Sequence, residues 1–288
     1  MRVGAVVVLG LLVAECVPEI VVEDAGCPCD TGNVCCDDVC VRGDRCPECE
    51  VEQSGLDASP PCDCDSFLPM CVGARWDYDE FEPSTEAPLG SKTQVLIDFK
   101  DPGDPSFDKT SFEAFVSCRT SDDSLRTAWQ TVEGARTLWQ MDQWFGLERT
   151  LTKTAYYVPS RLRLDESRAT PGDAWTESNT LYTIVAPGID AQPCNDGNPP
   201  APLADVEGGY QCATELEQWS VLSLAEATTY GADLAGYQPQ DVLCHAVERG
   251  EVKIYCFARG VGKFFELEVG AKRELLVDHY VPGCGPSP

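Results

Sequence analysis

Residues 241–281 read DVLCHAVERGEVKIYCFARGVGKFFELEVGAKRELLVDHYV, and this stretch decides the fold. Four short apolar-rich runs (241–247, 252–258, 263–269 and 273–281) are separated by Arg249-Gly250-Glu251, Gly260-Val261-Gly262 and Gly270-Ala271-Lys272. Strand-length runs joined by tight glycine-bearing turns predict an antiparallel meander. The first turn also predicts a register. With a loop at 249–251, Glu248 faces Val252, Ala246 faces Ile254 and Cys244 faces Cys256. Cα atoms opposite each other in a non-hydrogen-bonded pair lie about 4.5 Å apart, within disulfide reach. A Cys244–Cys256 bridge follows, and strand alternation then turns His245 to the other face of the sheet.

Working toward the N-terminus, residues 93–99, 153–164 and 174–185 are rich in Val, Ile, Thr and Tyr and read as further strands. Residues 121–145 can be forced onto a helical face, but RTAWQTV and RTLWQMD flank Glu133-Gly134. That arrangement favours two strands and a turn. Residues 93–288 therefore read as a mainly β, antiparallel domain: a meander, a curved sheet or a half-barrel. Most of its tryptophans belong in the sheet core, and Trp144-Phe145 could line a hydrophobic pocket inside a half-barrel.

The charge balance removes whole classes of function. The chain has 288 residues with 48 acidic and 21 basic side chains, a net charge of -27. Nucleic-acid binding and attachment to an anionic membrane through a basic patch both need Lys and Arg to displace counterions, so neither is expected. Catalysis finds little support. His245 and His279 are the two imidazoles, and G-x-S-x-G, H-E-x-x-H, P-loop and G-x-G-x-x-G patterns are all missing from the sequence.

Cysteine usage gives the address. Met1-Arg2 followed by the apolar run 3–14 reads as a secretory signal peptide, because about 18 Å of helix is too short for a hydrocarbon core of roughly 30 Å. The 17 cysteines cannot all pair with one another. Setting Cys16 aside leaves ten in residues 27–71 (Cys27, Cys29, Cys35, Cys36, Cys40, Cys46, Cys49, Cys62, Cys64, Cys71) and six beyond. Both remainders are even, as two separately bridged domains require. Ten cysteines in so short a segment leave too few apolar side chains for a core, so residues 17–75 read as a module folded by disulfides. In an oxidising compartment, bridges win over zinc at Cys46-Pro47-Glu48-Cys49. Residues 76–92, WDYDEFEPSTEAPLGSK, read as an acidic linker. In the β domain, Cys194 and Cys212 bracket a Pro/Gly-rich loop that a bridge would pin, and elimination pairs Cys118 with Cys284. Asp98, Asp101, Asp104 and Asp108 could offer oxygen ligands to calcium as a cofactor, although a merely solvated acidic loop is the simpler reading.

Three resemblances accompany these readings. Leu12-Val13-Ala14-Glu15-Cys16 resembles the bacterial lipobox, with Glu15 where that motif has a small residue. The likeness implies lipidation at Cys16, and cleavage nearby without lipid explains the parity equally well. Gly32-Asn33-Val34-Cys35-Cys36-Asp37-Asp38-Val39-Cys40-Val41, followed by Cys46 and Cys49, resembles the stigma-specific-protein-like cysteine-rich repeat, implying an extracellular disulfide module. Tyr157-x3-Arg161-Leu162-Arg163, Pro171-Gly172-Asp173-Ala174-Trp175 and Ala258-Arg259-Gly260-Val261-Gly262-Lys263 together resemble the β-rich domain of uncharacterised bacterial envelope lipoproteins. The expectation is an exported, non-catalytic envelope protein in domains 1–16, 17–75, 76–92 and 93–288. It would be secreted or lipid-anchored at the outer membrane or cell surface, and would act by binding an envelope or extracellular protein or a glycan. The alternatives are a carrier of an apolar ligand in a half-barrel and, third, a secreted hydrolase.

Overall fold

The computed structural model describes residues 33–36, 39–42, 49, 51, 53–100, 113–121, 124–145, 151–185 and 211–284. The chain divides into two units, Met1–Pro47 and Glu48–Pro288. In the first, β1 (Asn33–Cys36) and β2 (Val39–Arg42) form an antiparallel pair with Cys35 opposite Cys40. The signal segment, Cys16, Cys27, Cys29, Cys46 and Cys194 lie outside the described residues.

The second unit opens with helix α1 (Gln53–Ala58). Twelve strands follow among the described residues: β3 (Arg75–Phe81), β4 (Pro88–Lys100), β5 (Ala114–Ser121), β6 (Ser124–Glu133), β7 (Arg136–Phe145), β8 (Leu151–Asp165), β9 (Ala174–Val185), β10 (Gln211–Leu222), β11 (Val242–Arg249), β12 (Glu251–Ala258), β13 (Gly262–Glu268) and β14 (Lys272–Tyr280). Each strand pairs antiparallel with the next, and β14 returns to pair with β3. The mainly β, antiparallel expectation holds, but the sheet is a closed barrel where a half-barrel was expected. Closure is the stable outcome because it leaves no strand edge unpaired.

The strands that complete the ring come from the segment read as an acidic linker. Residues 76–92 form most of β3 and the start of β4. In β3 the aromatic side chains Trp76 and Tyr78 are buried, while Asp77 and Asp79 alternate with them on the outer side. Strand alternation accounts for the composition that suggested a solvated link. The ambiguous stretch forms β6 and β7, with the turn at Gly134-Ala135.

Because neighbouring strands alternate in direction, the start of β3 and the end of β14 share one end of the barrel. That end is apolar. The segment before β3 lies over it, burying Phe67, Leu68, Met70 and Val72 against Trp76, Leu164, Phe257 and Val281. Glu166 holds this plug by accepting hydrogen bonds from the Ser66 hydroxyl (2.5 Å) and the Phe67 amide (3.0 Å). On the outside, helix α2 (Leu224–Thr229), capped by Ser223 and Glu226, covers β11–β13 with Ala227 and the following Ala232.

The cysteines depart from the expected division. Cys244 and Cys256 are opposite in register and bridged, with Cα atoms 4.1 Å apart. Cys62–Cys71 closes the plug on itself. The Cys118–Cys284 pairing assigned by elimination is wrong: Cys118 is bridged to Cys49 and Cys284 to Cys64. Even parity in each segment concealed two exchanges between them. Cys49, Cys62, Cys64 and Cys71 all belong with the barrel unit, so no separate module reaches to residue 75. Cys212 is disulfide-bonded as well.

Gly260 and Gly262 are needed for close approach as well as for turning. Gly260 has φ +70°, its amide donates to the Ser66 carbonyl at 2.9 Å, and an added Cβ would lie 2.9 Å from the Cys64 carbonyl. Gly262 has φ +104°, and its Cβ would lie 2.6 Å from the Trp76 indole nitrogen, which donates to the Val261 carbonyl at 2.5 Å. Backbone strain and collision act together at Gly262. Gly262→Ala is expected to cost about 2–3 kcal/mol, read as a lower urea midpoint with unchanged slope.

Candidate functional site

Opposite the plug, the barrel interior is lined with charge. Strand alternation directs one side chain in two inward. At this end the inward positions hold Glu80, Lys92, Arg119, Arg126, Glu266, Lys272 and Glu274. Two networks account for most of them.

The first centres on Glu274, which is 2% exposed. Its carboxylate receives the ammonium groups of Lys92, Lys263 (2.6 Å) and Lys272 (2.8 Å). Lys272 also reaches Glu80 at 2.8 Å, and Lys263 reaches Glu266. Burial alone would raise the Glu274 pKa, but the charges of Lys263, Lys92 and Lys272 outweigh it and hold the carboxyl well below its ordinary range. Lys92 moves the other way: burial, then the charges of Lys263 and Arg119, depress its pKa.

The second network joins β6, β7, β8, β10 and β11. Arg126 donates through both sides of its fork to Asp142, with Nε to Oδ1 at 3.0 Å, and Tyr157 donates to the same carboxylate at 2.7 Å. Arg161 (2.8 Å) and Arg249 (3.1 Å) share one oxygen of Glu217, while the Trp219 indole donates to the other at 3.1 Å. Asp142 and Glu217 are fully buried, as carboxylates can be when each receives three donors, two of them charged. Tyr157 and Arg161, quoted above as one of the resemblances, are lumen groups of this network.

Pairing within both networks is nearly complete, which exposes the groups left over. Arg119 has no carboxylate within ion-pair distance among the described residues. Its Nη2 donates weakly to Gln94 at 3.3 Å, and its buried Nε has no partner. Burial, then the charge of Arg126, holds its pKa below the ordinary arginine value. Arg163, 6% exposed, likewise makes no ion pair or hydrogen bond among the described residues, and sits 4.6 Å from the Trp139 ring. Asn179, 2% exposed, has both amide atoms unpartnered.

A pocket of about 180 Å³ opens among these groups, lined by Glu80, Lys92, Arg119, Ser121, Ser124, Arg126, Trp144 and Lys272. Trp144 thus lines a charged pocket, with the guanidinium of Arg126 4.8 Å and the ammonium of Lys153 4.5 Å from its ring. A larger depression of about 470 Å³ lies on the outer face beside Thr176, Gln218 and Tyr230. Glu248 is the one carboxylate of that lining, which contains no base, so the depression offers no cation to a ligand. The lumen pocket is the better candidate for chemistry because its polar groups are not all satisfied internally.

The residues singled out from sequence are placed elsewhere. His245 is fully buried, its Nε2 donating to the Arg168 carbonyl at 3.2 Å, with the Trp175 and Trp219 rings edge-on at 5.7 and 5.9 Å. Its surroundings are aromatic and it has no nucleophile partner. His279 stands on β14 opposite Trp76. Asp98 lies within β4, paired with Lys100, while Asp101, Asp104 and Asp108 lie outside the described residues. No group of three or more metal-ligating side chains gathers among the described residues. The lumen bases were missed. Their one sequence signal is a base every second residue beside strand aromatics, as in Arg161-x-Arg163.

Two outcomes follow. Glu274→Gln leaves the buried ammoniums of Lys92 and Lys263 short of a counter-charge and is expected to cost about 3–5 kcal/mol, measured by equilibrium denaturation. The pH dependence is set first by His245, whose pKa burial lowers. As pH falls below the unfolded value of about 6.5, the unfolded chain binds a proton that the folded chain resists, so stability declines. His245→Phe should reduce that decline between pH 7 and pH 5 and leave the part due to His279, whose pKa burial also lowers. Below pH 5 the loss should persist in the variant, because depressed carboxyls, Glu274 and Glu266 among them, then resist protonation. No protein family, curated protein or solved structure matches the chain.

Proposed function

We propose that this is an exported protein, delivered to the cell envelope or beyond, that works by binding and takes its ligand at the charged end of the barrel. The observation that carries the reading is the unmatched guanidinium of Arg119 in a pocket otherwise walled by satisfied ion pairs. A cation kept partly buried without a counter-charge lowers stability, and a binding partner of opposite sign would supply the compensation. Export is supported by the disulfides. Bridges that join Cys64 to Cys284 and Cys49 to Cys118 need an oxidising compartment to persist. The Leu12–Cys16 stretch, with its likeness to a lipobox, supports attachment through a lipid at Cys16. A charged pocket gives an apolar ligand no matching surface, so the apolar-carrier reading is set aside. Among the described residues, the surroundings of His245 offer a hydrolase no base-nucleophile pair.

Intact mass of protein recovered from its native host tests the reading. The mature chain should begin at or after Cys16, reduction should add sixteen hydrogens, one for each cysteine beyond Cys16, and the unreduced protein should titrate with no free thiol. Material that retains residues 1–15 and reacts fully with thiol reagents would sink the exported reading.

A further inference from the structure

The geometry points to a tetrahedral oxyanion, a phosphate or a sulfate, free or as a monoester, as the ligand of the pocket formed by Arg119, Arg126, Lys272, Ser121 and Ser124. This deepens the binding reading above and rests on it.

The charge count sets the sign. Lys92, Lys272 and Arg126 approach the pocket, and Glu80, Glu274 and Asp142 answer them. Among the described residues three cations meet three carboxylates, which leaves the charge of Arg119 over. One anionic group is what the described lining lacks. Donor directions set the shape. Arg119 lines the pocket from β5, and its Nη2 is held only by the long 3.3 Å bond to Gln94. The Ser121 and Ser124 hydroxyls lie 2.9 Å apart, so one donates to the other and one hydroxyl proton stays free. Arg126 and Lys272 approach from β6 and β14. Donors converging from several strands suit oxygens arranged around a tetrahedral centre, whereas a planar carboxylate is satisfied by a single guanidinium fork. Size sets the limit. A pocket of about 180 Å³ is below the range of drug-sized sites, so the pocket takes the anionic group and leaves any bulk it carries outside. The environment sharpens recognition. Partly buried donors that water serves poorly gain more from an anion than exposed ones do.

The test uses the full-length oxidised protein, titrated calorimetrically with inorganic phosphate, sulfate, glycerol 3-phosphate and acetate, each against sodium chloride at matched ionic strength. Phosphate or sulfate should bind with one site and raise the melting temperature, and chloride should do neither. A glycerol 3-phosphate affinity above that of inorganic phosphate would identify a monoester as the better ligand, and the reverse order a free anion. Arg119→Gln should weaken the preferred anion by at least about tenfold, while its own melting temperature in chloride rises or holds, because an uncompensated cation is gone. Arg119→Lys should fall between the two. The double variant Ser121→Ala/Ser124→Ala, at the rim and away from both ion networks, should weaken binding by about threefold to tenfold. It keeps the test decisive if Arg119→Gln does not fold. Acetate binding tighter than phosphate and sulfate, no response beyond chloride, or an Arg119→Gln or double-serine variant with wild-type affinity would overturn the assignment. Such a failure with every thiol oxidised would remove the ligand class and leave the exported reading standing. Free thiols in the native material would remove the exported reading whatever the anion does.

Discussion

Pairing of β3 with β14 closes the ring, and the rest of the barrel unit depends on it. The two strands are separated by nearly the whole barrel sequence, so this contact carries the largest loop-closure cost in the fold. The interactions that oppose that cost are concentrated along the same seam. Trp76 donates to the Val261 carbonyl and Tyr78 to the Lys263 carbonyl, which fastens β3 to the strand beyond its neighbour. Glu80 and Lys272 pair across the seam, and Glu274 gathers Lys92, Lys263 and Lys272 behind it. Cys64–Cys284 joins the segment before β3 to the segment after β14, across a sequence separation of 220. On the chain-entropy account, a bridge closing so long a loop is worth about 5 kcal/mol.

Two solutions to filling the barrel stand at its two ends. At one, Phe67, Leu68 and Met70 enter from outside the sheet and complete an apolar core. At the other, inward positions are charged, and burial is made tolerable by carboxylates that each receive several donors. The same arrangement explains how a chain with a net charge of -27 can present a positive site. Many of its few bases are withdrawn into the lumen, and the excess acid is left outside. Charge at the surface keeps such a protein soluble, while local sign inside is set by pairing. An unmatched Arg119 is then conspicuous because its neighbours are so thoroughly matched.

Much of the fold was legible where one physical rule acted alone. The last four strands, their turns and the Cys244–Cys256 register follow from alternation and loop length, and both are local. Reading failed where two rules competed. Asp77, Asp79 and Glu80 made β3 look like a solvated link, although Trp76 and Tyr78 already alternated with them. Cys118 and Cys284 were paired by elimination, because parity constrains numbers and says nothing of partners. The site was less legible still. Arg119, Ser121 and Ser124 carry no motif, and each is an unremarked residue until the barrel brings β5 and β6 beside β14 and β3.

By itself the sequence determined the β character of the chain, the meander at its end and the Cys244–Cys256 register. These depend on composition, period and neighbours a few residues apart, which are properties of short segments. Only the tertiary structure decided that the sheet closes, that two bridges tie the cysteine-rich segment to the barrel, and that Arg119 and Arg163 lack a carboxylate among the described residues. Each of those depends on which distant strand lies opposite, and a side chain's electrostatic partner is fixed only when the ring has closed.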